Sequence, residues 1–231
     1  RDRDVTGVQT CALPICTFDV VFKNLKELLK EKIDISARLV VTNSTYLDIY
    51  DNFIFLIQNG IRDMSIIMDF VDFNWSDKQI SEYTILLKKI LYKTNQYRQD
   101  GIIIKTGLIQ NGLMKVKNHA CDGGRGTFSI LSSGDIYPCI VAVNDKKLCM
   151  GTVGGDFSDA LTKEIKEMDK KVINKCKGCS RYEYCTSTRC RILNKILSGD
   201  YLEPSPINCA TQRISMDLSR YVLDNRIPVN D

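Results

Sequence analysis

No run of apolar residues in this 231-residue chain reaches the length of about eighteen that a membrane-spanning helix needs, so a membrane partner is not implied. A basic block is lacking too. The net charge of +4 is spread thinly over 32 Lys and Arg against 28 Asp and Glu, which points away from nucleic acid. No stretch reads as a usable secretory signal, and the chain is long enough to build a core. Its ten cysteines therefore do not read as the disulfide scaffold of a small secreted domain, and reduced thiols in the cytoplasm are the expectation. The glycine-rich run Gly123-Gly124-Arg125-Gly126 has no Lys-Ser or Lys-Thr after it, so it is not a phosphate loop. Histidine is nearly missing: His119 is the only one, two residues before Cys121, placed either as a ligand or as a surface residue at a hairpin end. Hydrophobic content of 44% and charged content of 26% are those of an ordinary globular protein, with room for one large domain or two smaller ones.

What the chain does have is cysteine at short, regular spacing. Cys121 and Cys139 stand as C-x12-G-x4-C, with Gly134 as the fixed glycine. Cys176, Cys179, Cys185 and Cys190 follow as C-x2-C-x5-C-x4-C, and Cys209 comes after eighteen intervening residues. A C-x2-C pair lets two thiolates from one tight turn face the same ion or cluster. Zinc is one reading: three closely spaced thiolates and a distant fourth would close a tetrahedral site. That leaves Cys121, Cys139 and Cys190 without a role, and seven cysteines suit two iron–sulfur clusters better than one ion. Cys149, in KLCMGTV, sits between apolar neighbours and reads as a core cysteine rather than a ligand.

Before the cysteines the pattern alternates between helix and strand. Lys23 to Lys32 carries Leu25, Leu28 and Leu29 at helical spacing, Ile35 to Val41 is a β-branched strand, and Thr42-Asn43-Ser44 turns the chain. Leu47 to Asn59 predicts a helix stopped at Gly60, and Met64 to Asp69 a buried strand. Ser76 with Gln79 forms a capping box for a helix running towards Gln99, with Ile80, Tyr83, Leu87, Ile90 and Leu91 along one side; Gly101 to Lys105 is the next strand. Strands separated by helices argue for a parallel sheet of crossover units, and three strands are too few to close a barrel. Further on, Phe128 to Tyr137 predicts a β-hairpin turning at Gly134, and helices are expected over 159–172, 191–197 and 212–223, with the cysteines in the turns between them.

Other residues stay open between two roles. Arg38, inside the apolar strand ISARLVV, either meets an anion or faces solvent. Trp75 and the acidic cluster Asp69, Asp72 and Asp77 follow a strand end; they form a substrate-facing loop or a solvated turn with one buried aromatic. The first sixteen residues, RDRDVTGVQTCALPIC, resemble the peptide read from sequencing-adapter DNA, so residues 1–16 are expected to be a non-native leader ahead of a start near Thr17.

The cysteine pattern resembles the SPASM domain, the C-terminal extension of many radical SAM enzymes. The likeness spans roughly residues 112 to 225 and is best in FSILSSGDIYPC and CKGCSRYEYC; it departs at Cys185 and Cys190, which have four residues between them where three is usual. TFDVVFKNLKELLKEKIDISARLVVTNST is similar to the helix and strand that follow the middle strands of the radical SAM partial barrel. The resemblance implies an α/β chain: the C-terminal part of a partial (β/α) barrel over 17–111, then a small cysteine-rich α+β SPASM domain over 112–231. It implies one or two auxiliary 4Fe-4S clusters, one on Cys121, Cys139 and Cys190 and another on Cys176, Cys179, Cys185 and Cys209. Arg38 would face S-adenosyl-L-methionine (SAM), because the family holds the SAM carboxylate inside its barrel.

Radical SAM enzymes cleave SAM reductively to a 5′-deoxyadenosyl radical, the cofactor supplying the hard chemistry. Members with a SPASM domain commonly modify peptides or proteins. A peptide or protein substrate and a reductant such as a ferredoxin or flavodoxin are therefore expected in the full-length enzyme. The family's catalytic C-x3-C-x2-C motif does not occur in this sequence, so the chain is expected to be the C-terminal part of such an enzyme and inactive alone. The sulfatase-maturing branch usually has an acidic residue after the cysteine that follows Tyr-Pro; here Ile140 follows Cys139, which favours a peptide maturase. A zinc-stabilised binding module without catalysis is the reading from another class.

Overall fold

A phenylalanine pair four residues apart lies in the first turns of the first helix. Phe18 stacks on Phe22 with ring centroids 5.4 Å apart, and Phe22 meets Phe55 at 5.1 Å, which extends helix α1 (Thr17–Lys30) well before the leucine repeat begins. The computed structural model describes residues 17–69, 74–109, 115–116, 120–143, 145–187 and 190–228. His119 and Asp72 lie outside them, as do residues 1–16.

Strand β1 (Ser36–Val41) pairs parallel with β2 (Asp63–Met68), in register from Ser36 opposite Asp63 to Val41 opposite Met68. The connection is helix α2 (Ile49–Gln58), whose buried Ile49, Phe53 and Ile57 recur every four residues as an inward stripe. Gly60, at φ +94°, ends it in the left-handed conformation that glycine adopts without strain. Helix α3 (Asp77–Gln99) starts at Ser76, whose hydroxyl accepts from the Gln79 amide while the Gln79 side chain reaches back, and it buries Tyr83, Leu87, Ile90 and Leu91. The strand expected over 101–105 shortens to one bridge, between Lys105 and Asp63. In that parallel register residues 102–104 fall opposite 60–62, ahead of the start of β2, and Gly107 (φ +63°) turns the chain two residues after the bridge.

Three short antiparallel strands follow in the order β3 (Ser129–Ile130), β4 (Asp135–Tyr137), β5 (Gly151–Thr152), the first two forming the hairpin closed at Gly134 (φ +91°). Helices α4 (Ala160–Asp169), α5 (Arg191–Ser198) and α6 (Pro206–Asp224) complete the chain. Tyr137, Ala142, Leu148, Ile165, Ile192 and Tyr201 form a core that Cys121 joins, with Cys139 and Cys149 packed against it. Helix α6 begins six residues earlier than the apolar spacing suggests, and Cys209 consequently sits in its first turn rather than in a loop.

Contacts group residues 111–212 as one unit and residues 1–110 with 213–231 as another, so the end of α6 belongs with the first strands and helices. No helix among the described residues is long and apolar enough to cross a membrane.

Candidate metal centre

The turn after Cys121 is built from backbone. The Asp122 carbonyl accepts from the amides of Arg125, Gly126 and Thr127 at 3.1, 3.1 and 3.3 Å, and the Gly124 amide reaches the Pro138 carbonyl at 2.9 Å. That last bond ties the Cys121 turn to the residue before Cys139. Gly123 permits a close approach, since a β-carbon there would lie 2.5 Å from Ile192 Cδ1 and 3.5 Å from Cys121 Sγ. Ile192 is two residues past Cys190, so α5 seats its first turn against Cys121. Gly124 has φ +71°, and a β-carbon there would meet Thr162 Oγ1 at 2.7 Å, the hydroxyl that donates to the Gly124 carbonyl at 2.9 Å. Gly124→Ala is expected to destabilise the chain by about 1–3 kcal/mol through backbone strain alone. A lower urea midpoint with an unchanged slope is the expected reading, and an unchanged midpoint would contradict it.

Cys139 leads into a 3-10 turn, Ile140–Ala142, on which α5 packs. Burial pushes its thiol up; the amides of Val141 and Ala142, donating to the sulfur, pull it back, and the nearby Cys121 pushes it up again. Amides aimed at a sulfur are what tune an iron–sulfur ligand.

Cys176 ends a short 3-10 turn, Asn174–Cys176, and Cys185 follows another, Tyr182–Tyr184. Both are half-buried, whereas Cys179 and Cys209 are exposed. Hydrogen bonds hold the Cys185 loop on α6 beside Cys209, among them one from Gln212 Nε2 to Thr186 Oγ1 at 3.1 Å. The Thr186 amide donates to Gln212 Oε1 at 3.1 Å, and Ser187 Oγ donates to the Asn208 carbonyl at 3.4 Å. Burial pushes the Cys176 thiol up to about 11, and Cys185, Cys209 and Cys179 add to the push in that order, while the Arg191 charge opposes it. Four sulfurs thus share one electrostatic neighbourhood. Cys121, Cys139, Cys149, Cys176 and Cys179 are free thiols.

An ionic hub lies beside these turns. The Asp169 carboxylate, 10% exposed, accepts from the Cys121 amide at 3.1 and 3.2 Å, from Arg125 Nη2 at 3.2 Å and from Arg191 Nε at 3.4 Å. The Arg191 side chain is 4% exposed and also donates through Nη2 to the Lys171 carbonyl at 3.1 Å. Reading the sequence residue by residue misses this pair, yet it leaves a trace. Asp169 is the last residue of α4 and Arg191 the first of α5, so each charge sits at the helix end that disfavours it.

Among the described residues no group of three His, Cys, Asp or Glu side chains converges tightly enough to hold one metal ion. The fit to an iron–sulfur cluster accordingly rests on the donor set: Cys185, Cys209 and Cys179 within electrostatic reach of Cys176, amides donating to Cys139, and a buried guanidinium with Nη1 lacking an acceptor among the described residues. Those donors suit an anionic cluster and its thiolates.

The remaining candidates lie elsewhere. Arg38 is exposed on β1 opposite Ser65, as a solvated strand-face arginine would be. Trp75 is buried between Tyr46 and Tyr83, with ring centroids 5.7 and 5.6 Å away, which is the buried aromatic of a turn. Asp69 donates its amide to Val41, and Asp77 opens α3. The Cys149 thiol donates to the Gly151 carbonyl at 3.4 Å against the core.

No family model and no curated protein matches the sequence. Solved structures do. Native anSMEcpe with bound AdoMet, an anaerobic sulfatase-maturating enzyme of radical SAM/SPASM type, superposes with a TM-score of 0.63 at 21% identity over 91% of this chain and 61% of that one. The same protein with AdoMet and Cp18Cys peptide gives 0.65 at 22% identity over 92% and 63%, and with AdoMet and Kp18Cys peptide 0.61 at 22% over 91% and 62%. This chain thus spans about three-fifths of the length of those proteins, and it shares with them the mixed α/β fold of a radical SAM/SPASM enzyme.

Proposed function

We propose that this chain belongs to a radical SAM/SPASM enzyme that modifies a peptide or protein, and that it holds auxiliary 4Fe-4S clusters. The observation that carries the reading is the shared neighbourhood of Cys176, Cys179, Cys185 and Cys209, on a chain with this fold. Those four would hold one cluster; Cys121, Cys139 and Cys190 would hold the other. Bound clusters would supply one-electron chemistry or an open iron for a substrate group. The chain's own part is to release the thiol protons, hold the Cys121 turn by Asp169 and aim amides at Cys139. SAM, a ferredoxin- or flavodoxin-like reductant and a peptide partner follow from the same reading. The neighbouring structures with bound peptide support a peptide partner. The sulfatase-maturing branch is disfavoured by Ile140, apolar and 71% exposed where that branch has an acidic residue.

The test is anaerobic reconstitution with iron and sulfide. A brown protein with broad visible absorption and reducible clusters is expected; a colourless protein that binds zinc instead would overturn the reading. The same reconstituted chain is expected not to cleave SAM after dithionite reduction, because it has no C-x3-C-x2-C motif to present an open iron to SAM. Detection of 5′-deoxyadenosine above a protein-free control would refute that.

A further inference from the structure

The thin spread of charge along the chain has one exception. Residues 170–182, KKVINKCKGCSRY, hold five basic side chains and no acidic one, interleaved with uncharged residues so that they do not read as a block. The structure gathers them into one surface loop of successive tight turns. The Lys171 amide donates to the Met168 carbonyl at 3.0 Å, Cys176 to Ile173 at 3.0 Å, Lys177 to Asn174 at 3.1 Å, Cys179 to Cys176 at 3.2 Å and Tyr182 to Cys179 at 3.1 Å. Lys170, Lys171, Lys175 and Lys177 are exposed and Arg181 is half-buried. The carboxylates on either side are already engaged. Asp169 is held by Arg125, Arg191 and the Cys121 amide, and Glu183 pairs with Lys115 at 2.6 Å. Lys170 pairs with Glu167 and Lys175 with Glu203, while Lys171, Lys177 and Arg181 make no ion pair among the described residues.

What such a surface takes is a carboxylate, and Glu203 already shows it, drawn onto Lys175 from twenty-eight residues away. The loop offers little apolar area, Val172 at 62% exposed and Tyr182 at 38%, whereas a stable folded partner needs about 1,000 Å² of well-packed interface. Several weak charge contacts on a small surface suit a short extended segment that carries carboxylates. Nucleic acid fits less well. The loop holds five positive charges in a chain of net charge +4, so no wider positive excess exists to follow a phosphate backbone. Resting on the peptide-modifying reading above, we propose that the loop 170–182 docks an acidic segment of the peptide or protein substrate, with Lys171, Lys177 and Arg181 as the side chains that select it. The substrate class is then a polypeptide with several Asp or Glu residues close together.

The experiment uses the reconstituted full chain and two fluorescein-labelled peptides of equal length, one alternating Glu with Ser and one alternating Gln with Ser, with binding read by fluorescence anisotropy. The Glu peptide is expected to bind more tightly, and its affinity to fall as salt rises. Lys171→Glu, Lys177→Glu and Arg181→Glu together are expected to weaken it about tenfold, as the loss of several exposed ion pairs does. Lys23→Glu, Lys32→Glu and Lys147→Glu, at exposed positions outside the loop, change the net charge equally and are expected to leave it within about twofold, since salt screens distant charges. Should the loop variant not fold, Lys177→Glu alone decides, with about a twofold loss expected. Equal binding of the two peptides, or equal weakening by both triple variants, overturns the proposal. Tighter loop-dependent binding of single-stranded RNA, or of an acidic flavodoxin, than of the Glu peptide overturns it too, by giving the loop to another partner. Iron content keeps the two readings apart. An unmodified chain that assembles no 4Fe-4S cluster overturns the functional reading, whereas one that assembles clusters and binds both peptides alike overturns the role of the loop alone.

Discussion

Cys209→Ser is expected to remove about four irons per chain, one cluster's worth, and to leave the second cluster's signal intact. The four residues at stake come from three places: the turn carrying Cys176 and Cys179, the Cys185 loop, and the first turn of α6. Hydrogen bonds from Thr186 and Ser187 to α6 hold the last two together, so the serine keeps the fold while taking away a thiolate. Cys190→Ser is expected to do the reverse. Cys190 precedes α5, whose Ile192 packs on Gly123 beside Cys121, and α5 also covers the turn after Cys139. Its loss should disturb the hairpin cluster and spare the other. Iron counting with EPR of each variant checks this; if Cys190→Ser and Cys179→Ser abolish the same signal, the partition is wrong.

Asp169→Ala is expected to destabilise the chain by about 3–5 kcal/mol, the range for breaking a buried ion pair from one side. The size follows from what stays behind. Arg191, 4% exposed, would keep its charge without a counter-charge, and the Cys121 amide would lose its acceptor. Asp169→Asn, which retains one acceptor oxygen, should fall between Asp169→Ala and the unmodified chain. The exposed pair Lys163 and Asp159, 2.9 Å apart, makes the control: Lys163→Ala should change stability by about 0–1 kcal/mol, as surface pairs do. Urea unfolding of the four proteins, without iron, gives the comparison, and an Asp169→Ala midpoint as close to the unmodified value as that of Lys163→Ala would contradict it.

Local signals were the legible part of this fold. The Ser76–Gln79 box, the stop at Gly60 and the turn at Gly134 each depend on neighbours a few residues away, and each stands where the sequence places it. The strand at 101–105 was misjudged because pairing depends on register with a distant strand: with Lys105 opposite Asp63, the first residue of β2, the residues before Lys105 have no strand beside them there. The start of α6 had a readable signal that apolar periodicity hides: Ser205 as a cap, its hydroxyl 3.5 Å from the Asn208 amide, followed by Pro206 at the first helical position. Cysteine spacing made the candidate site conspicuous. It could not reveal the Asp169–Arg191 hub, whose partners lie twenty-two residues apart and meet only in three dimensions.

Helix α6 imposes an order of events on synthesis. The unit that begins with α1 is finished only by residues from Arg213 onward, where Leu218 and Val222 are buried, Ser219 Oγ donates to the Ile109 carbonyl at 3.4 Å and Arg98 reaches the Pro228 carbonyl at 2.6 Å. About a hundred residues, every one of the spaced cysteines among them, leave the ribosome between Gln110 and Arg213. At about 5–20 residues per second that is some five to twenty seconds. During that interval the first strands stand without their last helix, while the spaced cysteines emerge one after another, Cys121 early and Cys209 only at its end. Closure of the unit translated first thus waits until every spaced cysteine has been made.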